Sequence, residues 1–424
     1  MLVFKFGGAS VKDAKAIRNV SNILNNYKEE KIIVVFSAMG KTTNLLEKIN
    51  LAISNKNKVE FKQLTKELSD FHFLILNNLF PHSSHPVHEA VKLKIKELVG
   101  LFDQLSSSNL SSNYSKIVSY GEMISTIIIC SYLQEQNISA EWVDARSVIL
   151  TQNKHEDTKV LWKETIDNYL KIIPTIFLTK NIIVTQGFIG ENKKKETTTL
   201  GREGSDFSAA ILAYCGDAKQ VIIWKDVPGM LNADPKYFEN TVKLDSISYR
   251  EALELSYYGA SVIHPKTIKP LHNKQIPLYI KSFVKPKEEG TTIQGSKEKD
   301  ALIPSFIFKH NQILFSIKPK DFSFLVEENL SDIFDRLARV NAKINVMQNS
   351  ALSFSILLDR KKIDLEEILK LFKDDYTIRY NEGLELVTIR HYDQETVDFV
   401  TKGKRNILEQ KTRQTIRIVL KPNH

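Results

Sequence analysis

The sequence predicts an α/β chain: a three-layer α/β/α sandwich followed by smaller α+β modules. Short apolar runs such as Leu2–Phe6 and Lys31–Phe36 alternate with helical segments over residues 1–295, the grammar of βαβ units on a largely parallel sheet. Hydrophobicity in those runs is continuous rather than alternating, so both sheet faces should be covered. After a polar linker at 296–305 the pattern becomes strand, helix, two strands and helix, which fits a small ferredoxin-like module at 306–375. Residues 376–424 carry strand-like runs at Leu386–Arg390 and Thr415–Val419, with less between them than a second full module needs.

Leu2–Phe6 is the first strand, and Lys5 is its anomaly. An ammonium inside a buried apolar strand is costly unless it meets an anion; the alternative is an edge-strand lysine whose stem reaches solvent. Gly7, Gly8 and Ser10 follow, then a helix from Val11 to Glu29. A strand, a diglycine turn and a helix N-terminus form a cradle for phosphate, because glycine lets the backbone approach closely. The second strand, Lys31–Phe36, runs into Ser37-Ala-Met-Gly-Lys-Thr-Thr-Asn44. Gly40-Lys41-Thr42 imitates the end of a P-loop, but Val35 stands where that motif needs its upstream glycine, so the motif is rejected. A Gly/Ser/Thr loop at a strand's C-terminal end remains, where ligands of open α/β sheets bind.

Residues 45–105 read as helical, with Phe61, Leu64, Leu68 and Phe71 at helical spacing. His82, His85 and His88 have metal-like spacing, but Pro81 and Pro86 interrupt the helix that would align them, and no metal site is assigned. Ser106–Ser115 reads as a polar loop, with an apolar helix starting at Tyr120. Glu122 near that start has two open readings, a partner for the helix dipole or a carboxylate for a substrate ammonium.

Asn181–Gly190 is strand-like, and Lys193-Lys194-Lys195 reads as a solvated hairpin tip. Next comes Thr197-Thr-Thr-Leu-Gly-Arg-Glu-Gly-Ser-Asp206, between a strand and a helix N-terminus. Backbone N–H groups there suit an anion, and Arg202 can clamp a carboxylate or phosphate bidentately. The plainer reading, a polar turn capped by Ser205 or Asp206, accounts for part of it. Gln220–Trp224 is another strand, followed by the Gly/Pro/Asp-rich loop Lys225–Lys236. Helices around Ile247–Gly259 and from Val262, then the strand Leu278–Phe283, complete the first region. Every chemically loaded loop follows a strand, which places them along one sheet edge.

At 424 residues the chain has room for two or three domains, and 42% hydrophobic with 26% charged residues is ordinary for a soluble protein. A net charge of +9 is spread through the chain. It does not single out nucleic acid, and an anionic substrate is equally compatible. Cys130 and Cys215 sit in apolar segments without metal spacing, as expected of a reduced, cytoplasmic protein. No leader pattern and no apolar run near the ~20 residues of a membrane span is evident.

Together the loops resemble those of an aspartokinase of the amino-acid kinase family. Lys5-Phe-Gly-Gly-Ala-Ser-Val11 matches the opening signature, Ser37-Ala-Met with Thr43-Asn44 the second loop, and Gly121-Glu122 the third. Gly187-Phe-Ile-Gly190, Thr198–Asp206, Trp224-Lys-Asp-Val-Pro-Gly229, Asp234-Pro235, Gly259-Ala260 and His264-Pro265 follow in family order. The C-terminal region resembles the paired ACT modules of that family, the second one shortened. The resemblance implies ATP-dependent phosphorylation of the side-chain carboxylate of L-aspartate, the first step toward lysine, threonine and methionine, with Mg²⁺ on the ATP phosphates. It implies Lys5 and Asp206 as catalytic residues, with Lys5 on the transferring phosphoryl group. Ser37, Thr43, Glu122, Phe188, Arg202 and Ser205 would bind aspartate. Gly7, Gly8, Ser10, Lys225, Asp226, Val227, Gly229, Met230 and Lys236 would bind the nucleotide. Asn345, Asn349 and Ser350 become effector residues, and a homodimer through the ACT-like region is expected, with no nucleic acid or membrane partner.

Several positions depart from the family pattern. Ser261 stands where a second phosphate-binding lysine is usual; Lys225, at a usual threonine, and Lys266 are candidate replacements. Glu203 replaces a glycine and is expected to point to solvent. Asn345 replaces an aspartate that receives the effector's amino group in lysine-sensitive relatives, and Asp332-Ile333 replaces a Phe-Leu pair, which weakens the case for lysine feedback. A sister kinase for another acidic amino acid and a non-catalytic amino-acid sensor on the same fold stay open as alternatives. The absence of any G-x-G-x-x-G argues against an attached dehydrogenase.

Overall fold

The computed structural model describes residues 1–105, 110–260, 263–321 and 323–422. They form two compact units. One comprises Met1–Met230, Lys243–Tyr257 and Ser261–Asp300; the other comprises Leu231–Val242, Tyr258–Ala260 and Ala301–His424. The division is thus interleaved rather than a single cut near 296–305.

The first unit opens with β1 (Leu2–Phe6), α1 (Ala14–Asn25), β2 (Ile32–Phe36), α2 (Thr42–Ser54), α3 (Lys58–Leu79), α4 (Pro86–Gln104) and α5 (Leu110–Glu135). It continues through β3 (Ala140–Val143), β4 (Leu150–Thr151), α6 (Trp162–Ile176), β5 (Ile182–Gln186), β6 (Ile189–Asn192), β7 (Thr197–Thr199) and α7 (Gly204–Cys215). It closes with β8 (Gln220–Lys225), β9 (Ser246–Ser248), α8 (Tyr249–Tyr258), α9 (Pro265–Asn273), β10 (Leu278–Ser282) and β11 (Thr291–Gln294).

Eight of these strands form one sheet in the order β3-β5-β2-β1-β8-β10-β11-β9. Every pair is parallel except β10–β11. Residues of β1, β2 and β5 are buried at every position, as continuous apolar runs require. Phe6 is the centre of this core, stacked on Phe36 at 5.5 Å and on Trp224 at 5.7 Å between ring centroids. Sequence order reverses direction at β1, whose neighbours β2 and β8 lie on opposite sides. The C-terminal ends of the central strands therefore border a crevice, the usual ligand position in such sheets. Lys193–Glu196 forms the tip joining β6 to β7, with Lys195 N–H donating to the Asn192 carbonyl at 3.0 Å.

Two expectations change here. Leu110–Ser115, read as loop, is the first part of α5, while Ser106–Asn109 lies outside the described residues. The polar side chains there are held by tertiary contacts: Ser115 is buried and its hydroxyl donates to the His155 carbonyl at 2.7 Å. By length and apolarity α5 could cross a membrane, but most of its apolar window is buried inside the protein, as in a core helix.

The second unit contains β12 (Ser305–Pro319), α10 (Glu327–Arg339), β13 (Ile344–Ser350), β14 (Ser353–Asp359), α11 (Leu365–Phe372), β15 (Tyr376–Arg390), α12 (Gln394–Thr401), β16 (Lys404–Lys411) and β17 (Thr415–Pro422). One six-stranded sheet runs β13-β14-β12-β15-β17-β16. The two fifteen-residue strands β12 and β15 pair along their length, with register shifts around Lys309–Leu314. Beyond those shifts, Gln312–Pro319 and Tyr376–Asn381 belong with α10, β13, β14 and α11. Before them, Ser305–Lys309 pairs Leu386–Arg390, alongside β17, β16 and α12. The shortened module therefore takes its first strand from ahead of the complete one. It has a helix and a strand, α12 and β16, that sequence patterning did not reveal.

Phe6→Ala should lower the stability of the first unit by about 3–5 kcal/mol, the usual range for emptying an aromatic core site. Trp142, Trp162 and Trp224 all lie in that unit. Urea unfolding of the full chain followed by tryptophan fluorescence would show an earlier midpoint.

Candidate active site

Lys5 occupies a central strand, flanked by β2 and β8, so the edge-strand alternative does not apply. Its Nζ lies 2.6 Å from Oδ1 of Asp206, which is buried in the first turn of α7. Lys225, the last residue of β8, places its Nζ 3.6 Å from the other oxygen, Oδ2. Burial by itself would raise the Asp206 carboxyl; the Lys5 and Lys225 ammonium groups outweigh it and hold the group below its ordinary range. Two cations thus share one buried carboxylate.

The start of α7 explains the geometry. Its N-cap is Glu203, in the left-handed region at φ 53°, so neither Ser205 nor Asp206 has the capping role. Both face inward instead, and Ser37 donates from Oγ to Ser205 Oγ at 3.0 Å. Gly187 allows the exit of β5 to run against this turn, because a Cβ there would lie 2.4 Å from Ser205 Cβ. Phe188 is fixed by its N–H, which donates to Ser208 Oγ at 2.9 Å.

Glu122 comes from the middle of α5, not near its start, which removes the helix-dipole reading. Ser125 Oγ, one turn on, donates to the Ser37 carbonyl at 2.9 Å and ties the helix to the end of β2. The Ala38 N–H reaches Glu122 Oε1 at 3.4 Å, while Oε2 is buried with no hydrogen-bond partner. Burial pushes this carboxyl up to about 8, against smaller opposing effects of backbone hydrogen bonds.

A cavity of about 470 Å³ gathers Lys5, Asp206 and Lys225 with all six expected aspartate residues: Ser37, Thr43, Glu122, Phe188, Arg202 and Ser205. Tyr114, Glu156, Asp157 and Thr199 also line it and were not anticipated. Glu156 and Asp157 sit in a polar loop with no motif to mark them; Tyr114 lay in the segment read as loop. Glu203 also faces this cavity rather than solvent: its Oε2 is buried without a hydrogen-bond partner. Burial raises its carboxyl, and Lys225 is the foremost group opposing that rise.

The expected nucleotide residues other than Lys225 do not line this cavity. Gly7 and Gly8 form the turn just beyond Lys5, and a Cβ on Gly8 would meet the Ala38 and Gly40 carbonyl oxygens at 2.8 Å. Ser10 Oγ is buried there without a partner. Asp226 is exposed and Val227 half-buried. Gly229 adopts φ 153°, and Met230 is a core anchor whose N–H donates to Thr291 Oγ1 at 2.8 Å, so its buried side chain presents no open surface. Lys236 is exposed on Leu231–Val242, which groups with the second unit. Ser261 lies outside the described residues, and Lys266 forms an ion pair with Asp157.

In the second unit, Asn345 has its side chain satisfied at both ends. Its Oδ1 accepts from Lys309 Nζ at 2.9 Å and its Nδ2 donates to Gln312 Oε1 at 2.7 Å. Burial, then Arg417 and other nearby cations, lowers the Lys309 ammonium to about 8. Asn349 and Ser350 are exposed on β13.

Residues 1–282 match the model of the amino acid kinase family. The lysine-sensitive aspartokinase 3 of Escherichia coli is 30% identical over 85% of this chain and 78% of its own length. A crystal structure of E. coli aspartokinase III with aspartate and ADP, in the R-state, superposes with a TM-score of 0.82 at 26% identity, covering 99% of this chain and 96% of that one. The same enzyme with lysine and aspartate, in the T-state, gives 0.82 at 26% identity, covering 99% and 95%. The ordered motifs, the crevice at the strand ends and these likenesses agree: the chain belongs to the amino acid kinase family, as an aspartokinase.

Proposed function

We propose that this chain transfers the terminal phosphoryl group of ATP to the side-chain carboxylate of L-aspartate, giving 4-phospho-L-aspartate and ADP. The observation that carries the reading is the pairing of opposite electrostatic demands in one cavity. Lys5 and Lys225 bring two ammonium groups to the cavity around Asp206, while Glu122 presents a buried, unpartnered oxygen to a cation. A bound amino acid with an acidic side chain answers both.

The acceptor carboxylate is already ionised at neutral pH, so no general base is needed. One of its oxygens attacks the terminal phosphorus as the bond to the bridging oxygen of ADP breaks. The difficulty is that two anions must meet, so catalysis is positioning and charge neutralisation. In this reading Lys5 bears on the transferring phosphoryl group and Asp206 holds its ammonium in place. Arg202 clamps the α-carboxylate, Glu122 receives the α-ammonium, and Ser37, Thr43, Phe188 and Ser205 shape the pocket. Gly7, Gly8 and Ser10 face phosphate oxygens, a role supported by the crowded turn at Gly8 and the unpartnered Ser10 hydroxyl. Asp226, Val227, Gly229 and the backbone of Met230 complete the nucleotide side within the first unit. Mg²⁺ would screen the phosphate charge, held mainly by the phosphates themselves. Lys225 supplies the cation that Ser261 lacks.

An amino-acid effector acting through the second unit belongs to this reading. Its ammonium would not sit at Asn345, where it would meet the Lys309 ammonium. Exposed Phe324, Met347 and Leu352 support a homodimer through the second unit; Met347→Glu should then sediment as a monomer.

Hydroxamate trapping of the acyl phosphate, with ATP, Mg²⁺ and either aspartate or glutamate, tests the central reading. Product with aspartate is expected. Product with glutamate alone would favour a sister kinase, and none with either would favour a sensor. Arg202→Ala should mainly raise the KM for aspartate, whereas Asp206→Ala should mainly lower kcat. Lys225→Ala should reduce kcat/KM by roughly 10²-fold, typical of losing one charged contact to a reacting group. Equal kinetic defects in Arg202→Ala and Asp206→Ala would contradict the division of roles.

The Glu122 carboxyl has a direct pH signature. Its folded value of about 8 lies above the ordinary 4.5, so its contribution to stability is present at low pH and is lost as pH rises through about 8. Without ligand, Glu122→Gln should melt higher than the parent at pH 8, with the gap closing toward pH 4.5. A parallel pair of melting curves across that window would contradict the assignment.

A further inference from the structure

Five carboxyl groups line the active-site cavity against three cations, Lys5, Arg202 and Lys225. A site that must accept anions therefore depends on how its own carboxylates are occupied. Asp206 has Lys5 and Lys225, and Glu122 is the group offered to an ammonium. Glu203 is drawn up by burial, with Lys225 the foremost group opposing that rise. Glu156 and Asp157 remain, adjacent in the loop between β4 and α6.

That loop is pinned to β7. The Thr199 N–H donates to the His155 carbonyl at 2.7 Å, and the Thr158 N–H donates to the Thr199 carbonyl at 3.2 Å. Between them Asp157 adopts φ 46°, and its carboxylate stands over Gly201, where a Cβ would collide with it. Gly201 leads directly into Arg202, which is exposed and has no hydrogen bond or ion pair among the described residues. A guanidinium kept for a ligand carboxylate must be free in this way. A carboxylate fixed beside that turn would compete for it and would repel the ligand's own carboxylate. Asp157 is also shared with a second space, a groove of about 700 Å³, and Lys266 lines that groove but not the cavity. Lys266 is the second residue of α9, where the helix dipole disfavours a cation, and its Nζ pairs with Asp157 Oδ1. Asp157 is exposed and Lys266 half-buried, so the pair adds little to folding stability. What it changes is the charge met from the cavity side.

We propose that Lys266 is a positioning residue for the substrate: by occupying Asp157 from the groove side, it keeps that carboxylate off Arg202 and leaves the guanidinium to the α-carboxylate of aspartate. The inference rests on the aspartate-kinase reading for the identity of the substrate. It gives Lys266 no contact with ATP, and so separates it from the role of the cation missing at Ser261.

The test is a double-mutant cycle on the full-length protein, with aspartate dissociation constants from equilibrium dialysis and kinetics from hydroxamate trapping. Lys266→Met should raise the dissociation constant and the KM for aspartate by roughly three- to tenfold, the scale of one unit charge several ångström away in a solvated cavity. Its kcat and its KM for ATP should match the parent's. Adding Asp157→Asn should bring both aspartate constants back to within about twofold of the parent, because asparagine tolerates the left-handed backbone and carries no charge. Lys266→Arg should behave as the parent does, and the Lys266→Met defect should shrink in about 0.5 M KCl, where such charges are screened. If Lys266→Met melts early, the rescue still decides, since removing a charge at Asp157 does not repair lost packing at Lys266. A raised KM for ATP or a lowered kcat in Lys266→Met would make Lys266 a phosphate ligand and overturn the proposal. So would failure of Asp157→Asn to rescue, or equal rescue by Glu156→Gln, which would reduce the effect to net charge. A parent that bound aspartate but formed no acyl phosphate would sink the kinase reading alone, with the dialysis still deciding on Lys266; a parent that bound no aspartate would overturn both.

Discussion

A lysine in the middle of a parallel strand, covered on both faces, must find its counter-charge within the fold. Transferring an ammonium into such an interior costs several kcal/mol unless a charged, hydrogen-bonding partner is present, and for Lys5 that partner is Asp206. The requirement reaches outward. It demands that α7 start close over the ends of β1 and β5, which in turn demands a residue without a side chain at Gly187. It also explains why α7 is capped by Glu203 in a left-handed conformation and not by the Ser or Asp that follows: those side chains are directed into the crevice. Lys225 reaches the same carboxylate from the end of β8, so two ammonium groups meet at the crevice floor.

Glu122 poses the converse problem. A carboxyl group in the middle of an apolar helix, with one oxygen unpartnered, stays protonated well above its ordinary range. An incoming ammonium favours the ionised form, so binding is coupled to proton release and to relief of the desolvation penalty. With opposite charges called for within one cavity, an amino acid entering backwards would place its carboxylate on Glu122 and its ammonium among the lysines. Glu203 stands beside the positive side, where burial raises its carboxyl and Lys225 is the foremost group opposing that rise.

Much of this was readable along the chain because it is local. Continuous apolar runs and the Gly/Ser/Thr loops after them locate the strand ends, and the order of those loops locates Lys5, Ser37, Phe188, Arg202 and Lys225 near one edge. What was not readable depends on contacts distant in sequence. Ser and Asn residues before Tyr120 have loop propensity, yet Asn113 and Ser115 are buried in α5, because tertiary hydrogen bonds and packing outweigh intrinsic preference. Glu203 looked like a surface charge because nothing nearby in sequence reveals that Lys225 lies opposite. The anchoring of Met230 by Thr291, sixty-one residues further on, was likewise not evident along the chain.

The second unit shows the same limit at the scale of a whole module. Segment by segment, β12 and β15 read as ordinary strands, and the final stretch reads as an incomplete module. Only pairing reveals that each strand serves two modules in turn, with the register shifts between Lys309 and Leu314 marking the change. A continuous six-stranded sheet results, and Lys309, Gln312 and Asn345 meet beside that junction. A ligand that altered the hydrogen bonding of Asn345 would therefore act on the point where the two modules exchange strands. β12 and β15 are paired on both sides of the irregularity, so the same two strands run through both modules.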